Sequence, residues 1–356
     1  MPRNPIPRLR LAAQHLLKPV HDDPTEVVRH LGAVQAQDFP MSLWAVGIRM
    51  KHGTVPTVTE ALDAGRILRT HVLRPTWHLV AAEDIRWMLR LSAPQVRTAM
   101  GSFARQLGIT DTHYRKARRL FEKHLHGGQQ ATRTELVDLL KQARICTGDG
   151  SSLFLMDAEL EGLICSGTGA GRQSSYALLD ERVPPTSDLP GREEAAARLA
   201  QRYFTSHGPA TLDDFAWWSG LPRGLARDGM EAVRAQFAGL TWEGYSYLLP
   251  AGLPDAAALP SFLLAAFDEY FISYKDRSAV IRPEHQAKAF TANGIFRPIV
   301  LEGGVAAATW KQMPAKGATA HLRLTSFDPA TALSPRKLAT AITRLSAFLG
   351  VPLQTT

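Results

Sequence analysis

Apolar residues first recur at helical spacing after Asp23, where Val27, Val28, Leu31 and Val34 form one stripe and predict a helix from Asp23 to about Val34. Asp23 can cap it, Pro24 suits its first turn and Glu26 stands at the capping-box position. A second helix is predicted over "MSLWAVGIRM" and a third from Thr57, with Glu60 completing another box. The period then shortens to two: "ILRTHVLR" and "TWHLV" read as strands, broken at Pro75. Three helices followed by a hairpin is the winged-helix order, a helix-turn-helix variant.

The same order returns twice. "TRTELVDLLKQARI" opens with a Thr132/Glu135 box, "SSLFLMDAELEGLI" follows, and two short strands are predicted around "GTGAGRQ". Thr211 and Asp214 then open "TLDDFAWWSG", a helix is predicted from about Arg223 to Gln236, and "LTWEGYSYLL" closes as a tight hairpin turning at Glu243-Gly244. Residues differ between the copies, so the repeat is one of architecture. Beyond "LPAGLPDAAALP", read as a linker, strands are predicted in "FLLAAFDEYFISY", "FRPIVLEGG", "VAAATWKQ" and "TAHLRLTSF", and "SPRKLATAITRLSAFLG" is an amphipathic helix. The expected fold is therefore α+β: three tandem winged-helix modules (1–100, 101–189 and 190–255) and a small C-terminal β-rich domain with a terminal helix (256–356).

Composition narrows the class. The 356 residues, 45% apolar, suffice for several cores and contain no run long enough to cross a bilayer. No apolar signal core follows the basic N-terminus, so the expected location is the cytoplasm. Cys146 and Cys165 match no zinc spacing, and the twelve histidines form neither H-x-x-x-H nor H-E-x-x-H, so neither metal nor cofactor is expected. The net charge of +8 is uneven: residues 1–100 and 261–356 each carry +5, 101–190 balance, and 191–260 carry −2. If the two ends meet in space they present a positive surface suited to a polyanion.

Several motifs compete for chemistry. "GTGAG" suggests a nucleotide loop, but a phosphate loop needs a helix after it, and a strand is predicted there, so a wing tip is the expected role. Trp217 and Trp218 suit helix packing, and no G-x-S-x-G elbow supports a serine hydrolase. "RTHVLRPTWH" gathers Arg69, Thr70, His71, Arg74, Trp77 and His78 in ten residues, with Arg69 and His71 on one face of a strand, and reads as a phosphate clamp on a wing. Gln35 and Gln37, in "GAVQAQDFP", could converge only where the backbone leaves the helix. Their amides could then hold one water molecule but could not deprotonate it well. Asp38 is the nearest carboxylate; its alternative role is to end a helix or shape a turn.

Taken together, "GAVQAQD", "RTHVLRPTWH", "FAWWSG" and "FDEYFISYKDR" resemble, in order and over nearly the whole chain, the AlkZ family of bacterial winged-helix DNA glycosylases. The resemblance implies catalysis by Gln35 and Gln37, the Gln-x-Gln branch of the family, with Asp38 a secondary candidate. That branch is associated with resistance to DNA-alkylating natural products. DNA contacts are expected from Arg69, Thr70, His71, Arg74, Trp77, His78, Lys275 and Arg277. "VAAATW" departs from the glycine-bearing strand the family suggests there. The implied substrate is double-stranded DNA carrying alkylated purines, probed by a monomer in an open cleft. A purine alkylated at N7 is already a cationic leaving group, so a positioned water could suffice without a strong base. Two rivals remain at this stage, a winged-helix transcription factor without catalysis and a protein that sequesters the genotoxin. The best recognition-helix candidate, "RGLARDGMEAVR", lies in the region of charge −2, which weighs against the first.

Overall fold

The computed structural model describes residues 4–146, 150–169, 175–253, 258–316, 319–328, 333 and 335–355. The chain opens with α1 (Ile6–Ala13), α2 (Pro24–Leu31), β1 (Val34–Gln35), α3 (Phe39–Gly47), α4 (Val55–Asp63), β2 (Ile67–His71) and β3 (Trp77–Ala81). A long α5 (Ala82–Gln106) leads to α6 (Asp111–Leu125), β4 (Ala131–Thr132), α7 (Arg133–Gln142), α8 (Ser151–Leu160), β5 (Ile164–Ser166), β6 (Ser175–Leu178) and α9 (Leu179–Arg182). A third group comprises α10 (Arg192–His207), α11 (Leu212–Ser219), α12 (Arg223–Val233), β7 (Ala238–Trp242) and β8 (Tyr245–Leu249). The C-terminal part holds β9 (Phe262–Leu264), α13 (Glu269–Ile272), α14 (Gln286–Ala289), β10 (Ile299–Glu302), β11 (Val305–Lys316), β12 (Thr319–Ser326), α15 (Pro335–Leu349) and β13 (Leu353–Thr355).

One element order recurs. Its first sheet runs β1-β3-β2, its second β4-β6-β5, and in the third group Ala210 bridges to Leu248 beside the β7-β8 pair. In the first two groups a short strand, after α2 and after α6, adds to the hairpin that ends the group, and in the third the bridge at Ala210, after α10, takes the same place. The hairpin β7-β8 turns at Glu243 and Gly244, both at positive φ, as a two-residue turn requires. Strands flank Gly167 to Gly169 as expected, while the rest of that loop, 170–174, lies outside the described residues.

Several boundaries differ from expectation. The helix from Asp23 stops at Leu31, because Gly32 takes φ +80°, and Val34 enters a strand paired with Leu79. Asp23 does cap α2, accepting from Thr25 N at 2.8 Å, but Glu26 pairs with Arg29 instead of closing a box. The third helix begins at Val55, where Thr54 accepts from Thr57 N, so the cap lies three residues before Thr57. "FLLAAFDEYFISY" is extended only over Phe262–Leu264, after which Asp268 caps the short α13 through Tyr270 N. The helices α1, α5, α6 and α10 were not anticipated, and α5 runs through the expected boundary at residue 100.

Packing joins the two ends of the chain. One core holds Val34, Trp44 and Leu79 together with Leu263, Trp310 and Phe348 from the C-terminal five-stranded sheet and α15. Trp44 donates to Leu263 O at 2.7 Å and packs at a tilt against Phe348, and Arg344 donates to Met50 O. The two positively charged ends are thus in contact. A second core joins the other face of the first hairpin to the third group, and a third lies within the second group. Each fully buried large apolar side chain contributes on the order of 2 kcal/mol. Among the described residues no helix is long and apolar enough to cross a membrane.

Candidate active site

Gln35 lies on β1 and Gln37 two residues later, beyond the strand and before α3. Extended backbone, unlike helix, turns residues i and i+2 to one side. Gln35 is buried at 2% exposure, whereas Gln37 is exposed. The two are linked directly: Gln37 N donates to Gln35 Oε1 at 3.0 Å. Asp38 caps α3, accepting from Met41 N at 3.2 Å, so its carboxylate already has the structural task that was its alternative role.

Three backbone groups around the pair are held from distant parts of the chain. Gln35 N donates to Glu269 Oε1 at 2.7 Å, and Ala36 N donates to Trp77 O at 2.7 Å. Ala36 O accepts from Arg69 Nε at 3.1 Å and Nη2 at 2.9 Å. The Arg69 guanidinium in turn lies over the Trp77 ring, 4.4 Å from its centroid. This double grip fixes the peptide between the two glutamines, which bulk water would otherwise solvate in many geometries.

Beneath the motif the sheet carries one polar row. Gln35 pairs with His78 and His78 with Thr70, which puts all three on one face. Burial, then the charge of Arg74, pulls the His78 pKa down to about 3, so the ring is neutral. Its Nδ1 lies 3.0 Å from Thr76 O, an acceptor only, so Nδ1 carries the proton and Nε2 the lone pair. That Nε2 and Thr70 Oγ1 are buried without hydrogen-bond partners among the described residues. Glu269 is fully buried, and besides Gln35 N it accepts from Trp218 Nε1 at 3.1 Å and from Ser273 Oγ. Burial raises its pKa, but contacts with His207 and the Ser273 and Gln35 donors outweigh this and hold it below the usual carboxylate range.

The hairpin residues expected to clamp phosphate as an exposed wing occupy a different setting. Thr70, His71 and His78 are buried, and Arg69 and Trp77 are half-buried. His71 Nδ1 and Trp77 Nε1 both contact Glu159 on α8, and Arg69 N donates to Ser166 Oγ, so this face joins the first two helical groups. Arg69 and His71 do share a face, both against Trp77. Arg74 keeps Nε and Nη2 buried without hydrogen-bond partners among the described residues, and burial lowers its pKa. The reason for this setting is topological: β1 adds to one side of the hairpin and the second group packs across its face.

Lys275 and Arg277 line an open cleft of about 660 Å³ with Arg223 and Tyr245. Lys275 is exposed, with Nζ 3.7 Å from Asp213. Arg277 is mostly buried, donates to Phe271 O, and sits over Trp217, Phe290 and Phe296. Trp218 is a core residue, while Trp217 is 43% exposed and donates to Ile272 O.

Sequence reasoning missed Glu269. Its signal was a carboxylate within the apolar run "FDEYFISY", where an ionised group has to be explained by partners. The same segment anchors the molecule widely. Asp268 takes a two-point bond from Arg49, Tyr270 OH reaches Pro7 O and Gly304 O, and Tyr274 OH donates to His207 O. "WWSG" also has a local reason: Gly220 has φ +67°, and a Cβ there would lie 2.4 Å from Leu73 O at the end of the hairpin.

A family profile described as "DNA glycosylase AlkZ-like" matches residues 28–348. An "Interstrand DNA cross-link repair glycosylase" from Streptomyces sahachiroi is 24% identical over 322 residues, covering 85% of each chain. The solved structure of Streptomyces sahachiroi DNA glycosylase AlkZ superposes with a TM-score of 0.82 at 20% identity, covering 99% of each chain. The chain belongs to the AlkZ-like DNA glycosylase family and is a DNA-repair glycosylase with an α+β fold.

Proposed function

We propose that this AlkZ-like glycosylase hydrolyses the N-glycosidic bond of alkylated purines in duplex DNA, bulky N7-alkylguanine adducts of genotoxic natural products above all, as a self-resistance activity. Gln35 and Gln37 orient a water against C1′. The observation that carries this reading is the backbone of residues 35–37, held by Glu269, Trp77 and Arg69 and by the Gln35 amide itself. A preorganised amide pair lowers the barrier without proton transfer, which is enough when the base departs as a neutral molecule from a cationic nucleoside. The C1′–N9 electron pair passes to the purine, neutralising it, and the positive charge moves to the sugar. Water then adds to C1′ and releases its proton to solvent.

The recurring element order supports three winged-helix modules at 1–100, 101–189 and 190–255, followed by the β-rich domain at 256–356, with α5 as the connection across the first boundary. Lys275 on the open cleft supports a phosphate contact there, and a monomer is the proposed working form. The relative named for interstrand cross-link repair makes a cross-link a second candidate substrate. Replacing Gln37 by alanine is expected to slow single-turnover excision of N7-methylguanine about tenfold or more with duplex affinity nearly unchanged, and Gln35→Ala to act in the same direction. Wild-type rates in the double alanine variant would remove the assignment.

A further inference from the structure

Glu269 combines three properties that its structural tasks do not require together. It is fully buried, it is ionised, and among the described residues no lysine or arginine lies within 4.0 Å of its carboxylate. Its one close ionisable partner is His207, with Nε2 at 3.7 Å, where burial lowers the ring's pKa against the opposing pull of Glu269. Arg74 faces Glu269 from the hairpin and feels its charge without touching it, and His78 also faces it with a neutral ring. A buried carboxylate with no lysine or arginine in contact among the described residues is costly, and neutral donors would be satisfied as well by a neutral amide or hydroxyl. The charge itself therefore calls for a partner.

Such a charge sits one hydrogen bond from the motif: Glu269 Oε1 is 2.7 Å from Gln35 N. Its other oxygen is fixed by Trp218 Nε1 and Ser273 Oγ, so it cannot swing away. We propose that Glu269 is a positioning residue whose fixed negative charge favours the cationic sugar of the transition state at Gln35 and Gln37, while its Oε1 holds the Gln35 backbone in place. This rests on the assignment of Gln35 and Gln37 as the reacting point. During bond breaking the positive charge moves from the purine to C1′, and a carboxylate beneath the motif favours that movement to the extent that the sugar lies nearer to it than the base. Buried charges act on one another over longer distances than exposed ones, because water screens them less.

The test compares two abasic-site analogues in the same duplex, a pyrrolidine that carries a positive charge where the sugar cation forms and an uncharged tetrahydrofuran. Wild-type protein is expected to bind the pyrrolidine duplex about tenfold more tightly. Glu269→Gln is expected to bring the ratio close to one and to slow excision at least as much, with tetrahydrofuran binding little changed. Ser273→Ala, which removes one donor and leaves the charge, should keep the preference. A wild-type protein without any preference for the cation overturns the proposal even if Glu269→Gln does not fold. A folded Glu269→Gln that keeps the full ratio overturns it too, because a purely structural carboxylate would affect both duplexes alike. Failure of the glutamine assignment shows separately, as wild-type excision by the Gln35/Gln37 double alanine variant.

Discussion

The junction between short strand and helix occurs in both the first and second helical groups, and the two are built differently. In the second, Thr132 ends β4 and is at once the cap of α7, closing a reciprocal box with Glu135 on the protein surface. In the first, Gln35 ends β1, and the cap, Asp38, comes only three residues later. The intervening Ala36 and Gln37 leave backbone donors and acceptors that no local box can satisfy. Ala36 is satisfied from afar, by Arg69 and by Trp77 O, and Gln37 N by the neighbouring Gln35 side chain, while Glu269 takes the strand's last N–H. A stretched junction is thus held by tertiary contacts, and a fixed backbone is what the proposed water-positioning role of the two amides requires. The second junction keeps the economical form and carries no such pair.

The largest effect that separates the junctions is expected at the anchor of the long-range one. Arg49 and Asp268 form a buried two-point pair next to Glu269, and Arg49→Ala leaves Asp268 uncompensated. Unfolding in urea should show a loss of about 3–5 kcal/mol. Next in size is Arg69→Ala, which frees the Ala36 carbonyl: single-turnover excision should fall about tenfold, with the salt slope of undamaged-duplex binding unchanged. A slope flattened by about one unit instead would return Arg69 to the phosphate surface. The smallest effect belongs to the second junction, where Thr132→Ala should cost about 1 kcal/mol of stability and leave the excision rate at its wild-type value. A matching loss of rate there would mean that both junctions serve the chemistry.

Local signals in the sequence carried far. Thr132 with Glu135, Thr211 with Asp214, and the turn at Glu243-Gly244 stand where side-chain chemistry put them, because each is decided within four residues. The glutamines were legible as a motif at a break in the helix, though the break comes earlier, at Gly32, and opens a strand. What could not be read was which polar groups face each other from distant segments. Arg69, His71 and His78 read as an exposed basic wing because nothing local says that α8 supplies Glu159 or that β1 adds to the hairpin. Glu269 was hidden for the same reason, since its partners Gln35 and Trp218 lie 234 and 51 residues away in sequence.

The central claim is that neutral, rigidly held amides suffice because the alkylated purine is cationic before it departs. The direct measurement is single-turnover excision from duplexes that differ only in the lesion, followed from about pH 6 to 8.5. N7-alkylguanine should be released rapidly, and hypoxanthine and 8-oxoguanine very slowly or not at all. The rate on the cationic lesion should be flat with pH: amides do not titrate, His78 with a pKa of about 3 stays neutral above pH 6, and Glu269, held below the usual carboxylate range, stays ionised. Rapid release of hypoxanthine, or a rate that climbs or falls through a limb in that range, would contradict the account and require a general acid or base at the site.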